Sequence, residues 1–556
     1  MMKTCAMTGK QFEVTEEDLK FYEAISPVFN GKKELIPPPM LCPEERRRRR
    51  LSFRNERNLY RRKCDRCKKS LISVYSADKP FTVFCKDCWW SDSWDGLRFG
   101  RDYDFSRPFF EQFKELQKHV PRLAIINFSE ENSDYTNYGF GNKDCYLTFT
   151  SDRNEKCFFG TFVWTSFNCL DSLFVIDSQH CSECIDGDKL YECQYCQGCT
   201  NCRNCFGCTE SRNLKNCFGC VNLVNQEYCF LNEQLRKEEY EKRILQELKD
   251  IPAALKKIED FSKSFPRRAL FQLNCENSTG DHLKNCKNVT FAFDGYGAED
   301  SKFISNFPGE IHHCYDFDGA GSIEWCAEII ASGVATNQCF AIDHNWNGAN
   351  EVYYSSYCSV NSQLFGCVGL RKKKYCILNK QYTKEEYEKL VPKIIEQMRQ
   401  HQEWGEFFSL SISPFAYNET AAQEKFPLSK AEVQARGLVW KEEEHEVLKV
   451  EKIIPAEKLP KDISKIPDDV LNWAIECEVT KKPFRIIPQE LAFDRQFKLP
   501  LPHLHPDERH RQRSQKRNPQ QLWEGTCSKC QKQTPTSFTP ENRPEILCET
   551  CYLQTV

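Results

Sequence analysis

The sequence predicts a mainly β protein with two short-coil β-solenoids, each followed by a long capping helix, flanked by duplicated zinc-ribbon modules. Three observations lead to this prediction: cysteines recur every twelve residues in the middle of the chain, the end of that ladder is repeated 147 residues later, and two CxxC pairs with equal spacing occur near each terminus. The predicted units are a basic N-terminal zinc-ribbon module (1–100), a connecting helix (101–130), a first solenoid with a cysteine ladder (131–232), a capping helix (233–266), a second solenoid (267–379), a second capping helix (380–405), a proline-rich connector (406–470) and a C-terminal zinc-ribbon module (471–556).

The two CxxC pairs of each module are separated by seventeen residues. At this spacing a hairpin brings four thiolates around one zinc ion at ~2.3 Å, and small β units without a core of their own depend on such a site. We therefore expect two Zn²⁺ ions, with redox dithiols or free cysteines as the alternative. The predicted ligands are Cys64, Cys67, Cys85 and Cys88 in the first module, and Cys527, Cys530, Cys548 and Cys551 in the second.

The duplication extends upstream of the CxxC pairs. Residues 39–46 (PMLCPEER) match residues 502–509 (PHLHPDER), and CAMTGKQF near the N-terminus matches CEVTKKPF near the C-terminus. A second metal site in each module is one interpretation, although only two ligands are evident in each; buried thiols and a surface histidine are the alternative. The candidate ligands are Cys5 with Cys42, and Cys477 with His505.

Basic residues are concentrated beside both ribbons. Residues 42–63 hold ten Lys or Arg against three Glu, and residues 503–518 hold five against two acids, whereas the whole chain has a net charge of −3. Arginine forks suit phosphate contacts, and Tyr60, Trp89 and Trp90 offer stacking surfaces, so we expect nucleic acid, RNA rather than DNA. The alternatives are a solvated helix face and an acidic protein partner. The candidate contacts are Arg46, Arg47, Arg48, Arg49, Arg50, Arg54, Arg57, Arg61, Arg62, Arg509, Arg511 and Arg513.

The cysteine ladder has seven consecutive steps of twelve residues. Such a period is too short for a helical hairpin and indicates a β-solenoid whose coils stack at ~4.8 Å. A dry ladder of thiols that fills a narrow interior is the structural interpretation, and zinc or an iron–sulfur cluster held by adjacent coils is the alternative. The ladder consists of Cys145, Cys157, Cys169, Cys181, Cys193, Cys205, Cys217 and Cys229, and the alternative metal set is Cys181, Cys184, Cys193 and Cys196.

The end of the first ladder is repeated in the second half of the chain. Residues 231–242 (LNEQLRKEEYEK) recur as residues 378–389 (LNKQYTKEEYEK), so each solenoid is predicted to end in the same amphipathic helix. In the second ladder Leu364 and Val352 take the place of cysteine. The ladder position is therefore a packing position in that half, which weakens a metal interpretation there.

Composition limits the cellular setting. The 556 residues include 33 cysteines, an odd number that argues against a complete disulfide framework. No run approaches the ~18 apolar residues that a membrane helix needs, and the first ten residues lack the apolar region of a signal peptide. We therefore expect a cytoplasmic protein with reduced thiols and no membrane partner.

Several longer motifs are also found along the chain. They are CxxTGKxF, LCPEERRRRRL, FGRDYDFSRPFFEQF, FGCVxL with KEEYEK, and NWAIECEVTKKPFRIIPQELAF, and together they span essentially the whole chain. This set resembles a family of uncharacterised cysteine-rich repeat proteins abundant in candidate-phyla bacteria with small genomes. The resemblance implies no activity or site residue. An automatic CoA-transferase label on some members has no support here, because such enzymes alternate strands and helices.

Three functional hypotheses follow. The first is a zinc-dependent scaffold that binds RNA or a ribonucleoprotein through its basic modules. The second is a thiol-rich protein that stores metal or senses oxidants, since 22 of the 33 cysteines lie in the predicted solenoids. The third is an enzyme on a solenoid face, which we favour least: Asp343, His344 and His313 form no convergent acid, base and nucleophile, and no catalytic residue is predicted.

Overall fold

Twelve residues complete one coil of the first solenoid, and every third residue from Tyr138 to Leu231 forms a corner. These corner residues have φ between 46° and 66°, the left-handed region in which asparagine, aspartate and glycine are most easily accommodated. Each coil therefore has four sides of three residues. Successive coils pair in parallel twelve residues apart, as Phe149 does with Thr161 and Leu173 with Ile185.

The strands of both solenoids confirm the predicted fold class. The structure, a computed structural model, describes residues 1–319, 321–332, 336–442 and 450–555. The first solenoid contains Asn127–Phe128, Asn137–Phe140, Phe149–Asp152, Thr161–Trp164, Leu173–Ile176 and Ile185–Asp188, followed by single parallel bridges. The second contains Gln272–Leu273, Gly280–Lys284, Lys287–Thr290, Ala292–Asp318, Ile323–Ser332, Thr336–Tyr353, Ser356–Phe365 and Lys374–Ile377.

The interior of the first solenoid is built mainly from thiols. Its core cluster is made of ladder cysteines with a few Val and Leu side chains, all buried. The thiols donate hydrogen bonds to backbone carbonyls of the same and the next coil: Cys193 Sγ lies 3.4 Å from Cys202 O, and Cys196 Sγ lies 3.6 Å from Cys205 O. Cysteine suits this position because its side chain is small enough for a narrow coil and still satisfies buried carbonyl oxygens.

The second solenoid has a mixed interior. Ile, Val, Leu and Phe join the cysteines in its core cluster. Its coils contain eleven to thirteen residues, since Gln272 pairs with Leu283, Cys314 with Cys326 and Cys326 with Cys339.

The two solenoids lie side by side and run in opposite directions. Tyr138, in an early coil of the first, donates or accepts a 2.6 Å hydrogen bond with His344 in a late coil of the second. Further along the first solenoid, Asp188 lies 3.9 Å from Lys284, in an early coil of the second. Later coils of the first solenoid therefore contact earlier coils of the second, so the two solenoids are antiparallel.

Helices cover the solenoids and connect them to the modules. The α-helices are Glu16–Ala24, Pro43–Leu51, Lys86–Trp90, Phe109–His119, Lys237–Glu247, Ile251–Ser262, Lys384–Gln400, Ala421–Lys425, Lys430–Ala435, Pro488–Phe497, Pro506–Gln515 and Glu549–Leu553. The second capping helix begins with a capping box formed by Thr383 and Glu386. Within the described ranges, each helix is too short or too polar to cross a membrane.

Two predicted elements differ from the structure. The first capping helix is two helices rather than one, because Asp250 caps a new helix whose first turn contains Pro252, a residue without a backbone N–H. The predicted connector is not an extended linker: Phe407, Phe408 and Tyr417 belong to the largest hydrophobic core. Its segment 443–449 lies outside the described residues.

Candidate metal centres

Each ribbon is a hairpin followed by a short strand and a helix. In the N-terminal ribbon, strands Tyr60–Lys63 and Ser70–Ser73 carry Cys64 and Cys67 in the turn between them. Lys68 adopts φ 62° in that turn, and its N–H donates to Cys64 O at 2.9 Å. Cys85 then caps the helix Lys86–Trp90, which carries Cys88 in its first turn.

The C-terminal ribbon repeats this arrangement. Strands Trp523–Thr526 and Gln533–Thr536 flank the first CxxC pair, and Cys548 caps the helix Glu549–Leu553. In each ribbon the ligand atoms of all four cysteines lie within 4.8 Å of one another. The Cys67 and Cys85 sulfurs are 3.7 Å apart, as are those of Cys530 and Cys548. Four sulfurs at ~2.3 Å from a tetrahedral ion would lie ~3.8 Å apart, so both groups can hold a metal ion.

Backbone N–H groups prepare one thiol of each ribbon for ionisation. Burial opposes ionisation of Cys64, but N–H donors led by that of Cys85 outweigh it and lower its pKa to about 7. In the C-terminal ribbon, backbone N–H donors led by that of Cys530 likewise outweigh burial and lower the pKa of Cys527 to about 6. Thiolate is the form that binds a metal, so these turns favour coordination.

The other predicted metal sets are not gathered in this way. Among the described residues, three or more Cys, His, Asp or Glu ligand atoms come within 4.8 Å of one another only in the two ribbons. Cys181, Cys184, Cys193 and Cys196 stay in the solenoid interior, where their thiols donate to carbonyl oxygens. These buried thiols also contact one another within a coil and between coils, as Cys181 does with Cys184 and Cys193. Contacts to both sulfur and carbonyl oxygen fill the narrow interior, which fits a packing role.

The upstream pairs do come together, but as pairs. Cys5 and Cys42 share a small buried cluster. Cys477 contacts the backbone N–H of His505, and His505 Nδ1 accepts the N–H of Asp507 at 3.2 Å, which caps its own helix.

The arginine run of the N-terminal module lies in the interior. Arg50 is fully buried, with Nη1 2.9 Å from Glu328 Oε2 and 3.2 Å from Asp316 Oδ1. Arg46 Nη2 lies 2.9 Å from Asp316 Oδ2. The two arginines are one helical turn apart, ~6 Å along the helix axis. The two acids lie on adjacent coils, ~4.8 Å apart. The spacing of the arginines is therefore close to that of the acids they contact.

The rest of this run is also paired. Arg47 Nε lies 2.9 Å from Asp318 Oδ1. Arg48 Nη1 lies 2.7 Å from Glu45 Oε1, and Arg49 Nη1 lies 2.8 Å from Glu406 Oε2. Burial opposes ionisation of Asp318, but its arginine neighbours outweigh this effect and lower its pKa. The expectation that residues 46–50 contact nucleic acid is therefore corrected: all five pair with acids of the protein, and Arg46, Arg47, Arg49 and Arg50 fix the module to the second solenoid.

The C-terminal module repeats these contacts on the first solenoid. Arg509 pairs with Asp171, and Arg513 lies 2.8 Å from Asp171 and 3.0 Å from Glu183. Arg509 and Arg513 are buried, so they too are corrected from nucleic-acid contacts to structural contacts.

Of the remaining candidates, Arg54, Arg57 and Arg62 also face protein, whereas Arg61 and Arg511 are exposed. Arg54 lies over the Tyr138 ring at 4.1 Å, and Arg57 lies over the Phe149 ring at 4.6 Å. Arg62 pairs with Asp65 at 3.0 Å and is mostly covered, and Arg511, half-exposed, pairs with Glu508 at 2.6 Å. Arg61 is exposed and donates to Tyr135 Oη at 3.0 Å.

The stacking surfaces expected on the N-terminal module are largely used within the protein. Trp89 is buried against Trp94, with ring centroids 4.8 Å apart, and Trp90 is only partly exposed. Tyr60 Oη donates to Glu419 at 2.7 Å. These rings therefore offer little free surface for an unpaired base.

The histidines weighed for catalysis are structural. His344 is fully buried, Nδ1 pairs with Asp343, and Ser356 donates to the other Asp343 oxygen at 2.7 Å. His313 stacks on Trp325 with ring centroids 4.1 Å apart. Among the described residues, neither histidine forms a set with a nucleophile at an open cleft.

Sequence reasoning missed the acids that receive the arginines. Asp171 and Glu183 are twelve residues apart, as are Asp316 and Glu328, and all four occupy left-handed corners. Acids at the repeat period, opposite arginines at helical spacing, were the signal that could have identified these contacts.

Comparison with known proteins gives no relative that bears on function: no protein-family model matches the chain, and no curated protein matches it.

Proposed function

We propose that the protein is a zinc-dependent scaffold in which two zinc ribbons hold two antiparallel β-solenoids together. The observation that carries this proposal is the position of the ribbons. Each four-cysteine group lies where the beginning of one solenoid meets the end of the other, so each ion would stabilise a junction between the two rods.

The contacts of the N-terminal ribbon support this role. Its strand Val83–Phe84 pairs in parallel with Arg122–Leu123, which leads into the first solenoid. On its other side, Arg371 from the end of the second solenoid donates to Ser91 O at 3.0 Å and Trp94 O at 3.3 Å.

The C-terminal ribbon makes the reciprocal contacts. Its strand Ile546–Leu547 pairs in parallel with Arg267–Arg268, which leads into the second solenoid. Tyr552 Oη donates to Asn222 Oδ1, near the end of the first solenoid, at 3.2 Å. Zinc is the ion that suits these sites, because closed sets of four thiolates are typical of structural zinc.

Elemental mass spectrometry on protein purified anaerobically tests the proposal. We expect two zinc ions per chain, one after Cys67→Ser or Cys530→Ser, and none after both changes. Small-angle scattering on the double variant should show a larger radius of gyration as the rods separate at their junctions. Unchanged scattering after complete zinc loss would contradict the clasp role, and iron in place of zinc would contradict the metal assignment.

RNA binding is a second proposed function, carried by a different surface from the arginine run. The tip of the N-terminal ribbon presents the exposed side chains of Lys63, Arg66, Lys68 and Lys69, with Asp65 and Asp87 as the nearby acids. Exposed cations beside a zinc ribbon suit phosphate contacts, and such binding weakens steeply with salt. Lys63→Glu with Lys68→Glu should remove salt-dependent RNA binding while zinc content stays at two. RNA affinity that survives this change would rule out the ribbon tip.

A further inference from the structure

The two-ligand pairs upstream of the ribbons lie in the same local structure as the ribbons themselves. In the N-terminal pair, Cys5 N donates to Lys10 O at 2.8 Å, and Gly9 N donates to Cys5 O at 2.9 Å. In the N-terminal ribbon, Cys64 N and Lys68 N make the same two bonds at 2.9 Å.

The second half of each unit is also shared. Cys42 caps the helix Pro43–Leu51 as Cys85 caps the helix of the ribbon. A ribbon supplies two further cysteines, three residues after each of these positions. In the upstream unit those places are taken by Thr8 and Glu45, and Glu45 is bound to Arg48 at 2.7 Å. The upstream unit therefore keeps the fold of a four-cysteine site with two of its thiols.

We propose that Cys5 and Cys42 form a binding site for a thiophilic monovalent cation, Cu(I). Structural zinc takes four ligands, which this unit does not supply. Thiolate sulfur is a soft ligand that selects Cu(I), and two sulfurs are sufficient for a monovalent ion that accepts linear coordination. This site is separate from the two ribbons and does not depend on their role as clasps.

Two features make the pair suitable for coordination. The backbone N–H groups of Cys42 and Thr8 point at the Cys5 sulfur, and the Cys5 and Cys42 thiols contact each other within their buried cluster. Cys42 lines a cavity of about 510 Å³ between the N-terminal module and the second solenoid, with Phe12, Phe291 and Phe303 among its walls. Of the two cysteines, Cys42 is the one that borders this cavity.

The C-terminal module provides a matched comparison. Cys477 forms the same turn, with Cys477 N donating to Lys482 O at 3.1 Å, but its partner position is His505. His505 Nδ1 is occupied by the N–H of Asp507. Only one thiol remains there, so we expect no equivalent site.

Competition for Cu(I) with a chromogenic chelator tests the site in the full-length, zinc-loaded protein under anaerobic conditions. The wild type should retain one more tightly held Cu(I) per chain than Cys5→Ser or Cys42→Ser, and Cys477→Ser should match the wild type. Serine is a good helix N-cap, so Cys42→Ser should keep the fold, which thermal unfolding checks.

Two further measurements distinguish binding at this pair from binding elsewhere. Copper X-ray absorption should show two sulfur neighbours, and zinc released during the titration should not differ between the wild type and Cys42→Ser. Equal Cu(I) retention by the wild type and Cys42→Ser would overturn the proposal. An equal loss of Cu(I) in Cys477→Ser would overturn it as well, because the effect would then not be specific to the pair.

Discussion

At the residue scale, the clearest feature is a buried network of arginines and carboxylates at each module. Arg50 reaches Asp316 and Glu328 on one solenoid, and Arg513 reaches Asp171 and Glu183 on the other. Arginine suits this role because its planar fork remains charged and serves two carboxylates at once. Removing one partner leaves the others buried and unpaired, which costs more than the pair itself contributes.

We expect Arg50→Met to lower the free energy of unfolding by about 3 kcal/mol or more, because Glu328 loses its nearest cation and Asp316 and Asp318 each lose one of their two. Denaturant unfolding of the zinc-loaded protein measures the change. Arg66→Ala, on the exposed tip of the N-terminal ribbon, is the control and should change it by less than about 0.5 kcal/mol. Equal, small effects of both substitutions would show that the network does not stabilise the fold.

A second prediction concerns pH. Burial raises the pKa of Glu130 to about 7, even though Asn142 and Thr136 donate hydrogen bonds to it. The folded pKa lies above the unfolded value of ~4.3, so its contribution to stability is complete below that pH and is lost as pH rises through about 7. Unfolding measured between pH 5 and pH 8 should show a smaller loss of stability in Glu130→Gln than in the wild type. Parallel curves for the two proteins would contradict this origin.

At the element scale, the solenoid coil explains most of the sequence pattern. A left-handed corner at every third residue leaves one inward position on each side, which small side chains such as cysteine and serine fill. The capping helices then close the exposed face: Ile258 of the helix Ile251–Ser262 packs beside Gly207 and Gly219. Glycine adopts their positive φ without strain, and its lack of a Cβ permits the close approach of the helix.

A comparison of Gly207→Ala with Gly198→Ala separates the effect of positive φ from the effect of the close helix. Both glycines have φ 64°, but an added Cβ at Gly207 would lie 2.5 Å from Ile258 Cδ1, whereas at Gly198 the nearest atom is 3.4 Å away. Both substitutions should cost about 1 kcal/mol for the left-handed backbone, and Gly207→Ala should cost about 1–2 kcal/mol more for overpacking. Thermal unfolding of the two variants checks the difference, and equal shifts would place the helix farther from the coil than described.

At the whole-molecule scale, the two halves of the chain exchange their modules. The arginine helix of the N-terminal module packs on the second solenoid, and that of the C-terminal module packs on the first. The ribbons add to this exchange, since each pairs with a strand that leads into one solenoid and contacts the end of the other. Neither half therefore contains the partner that its own basic helix requires.

A split chain tests this exchange. Fragments 1–265 and 266–556, co-expressed with an affinity tag on the first, should co-purify as a 1:1 complex containing two zinc ions. Each fragment expressed alone should aggregate, because its buried arginines or its solenoid carboxylates have no partner. A soluble, folded and zinc-loaded monomer from either fragment alone would contradict the exchange.

Features that repeat along the chain could be predicted before any tertiary contact was known. The twelve-residue period gave the solenoids, because one coil must place like residues above like, and the CxxC spacing gave the four-cysteine groups, because four ligands of one ion lie close in sequence. The role of the arginine run became evident from long-range contacts in the fold. Charge along the chain does not reveal whether Arg46 and Arg50 meet phosphate or a carboxylate 270 residues away, since both suit the same fork. The antiparallel arrangement of the rods and the exchange of modules depend on contacts between distant segments, and a local period carries no information about them.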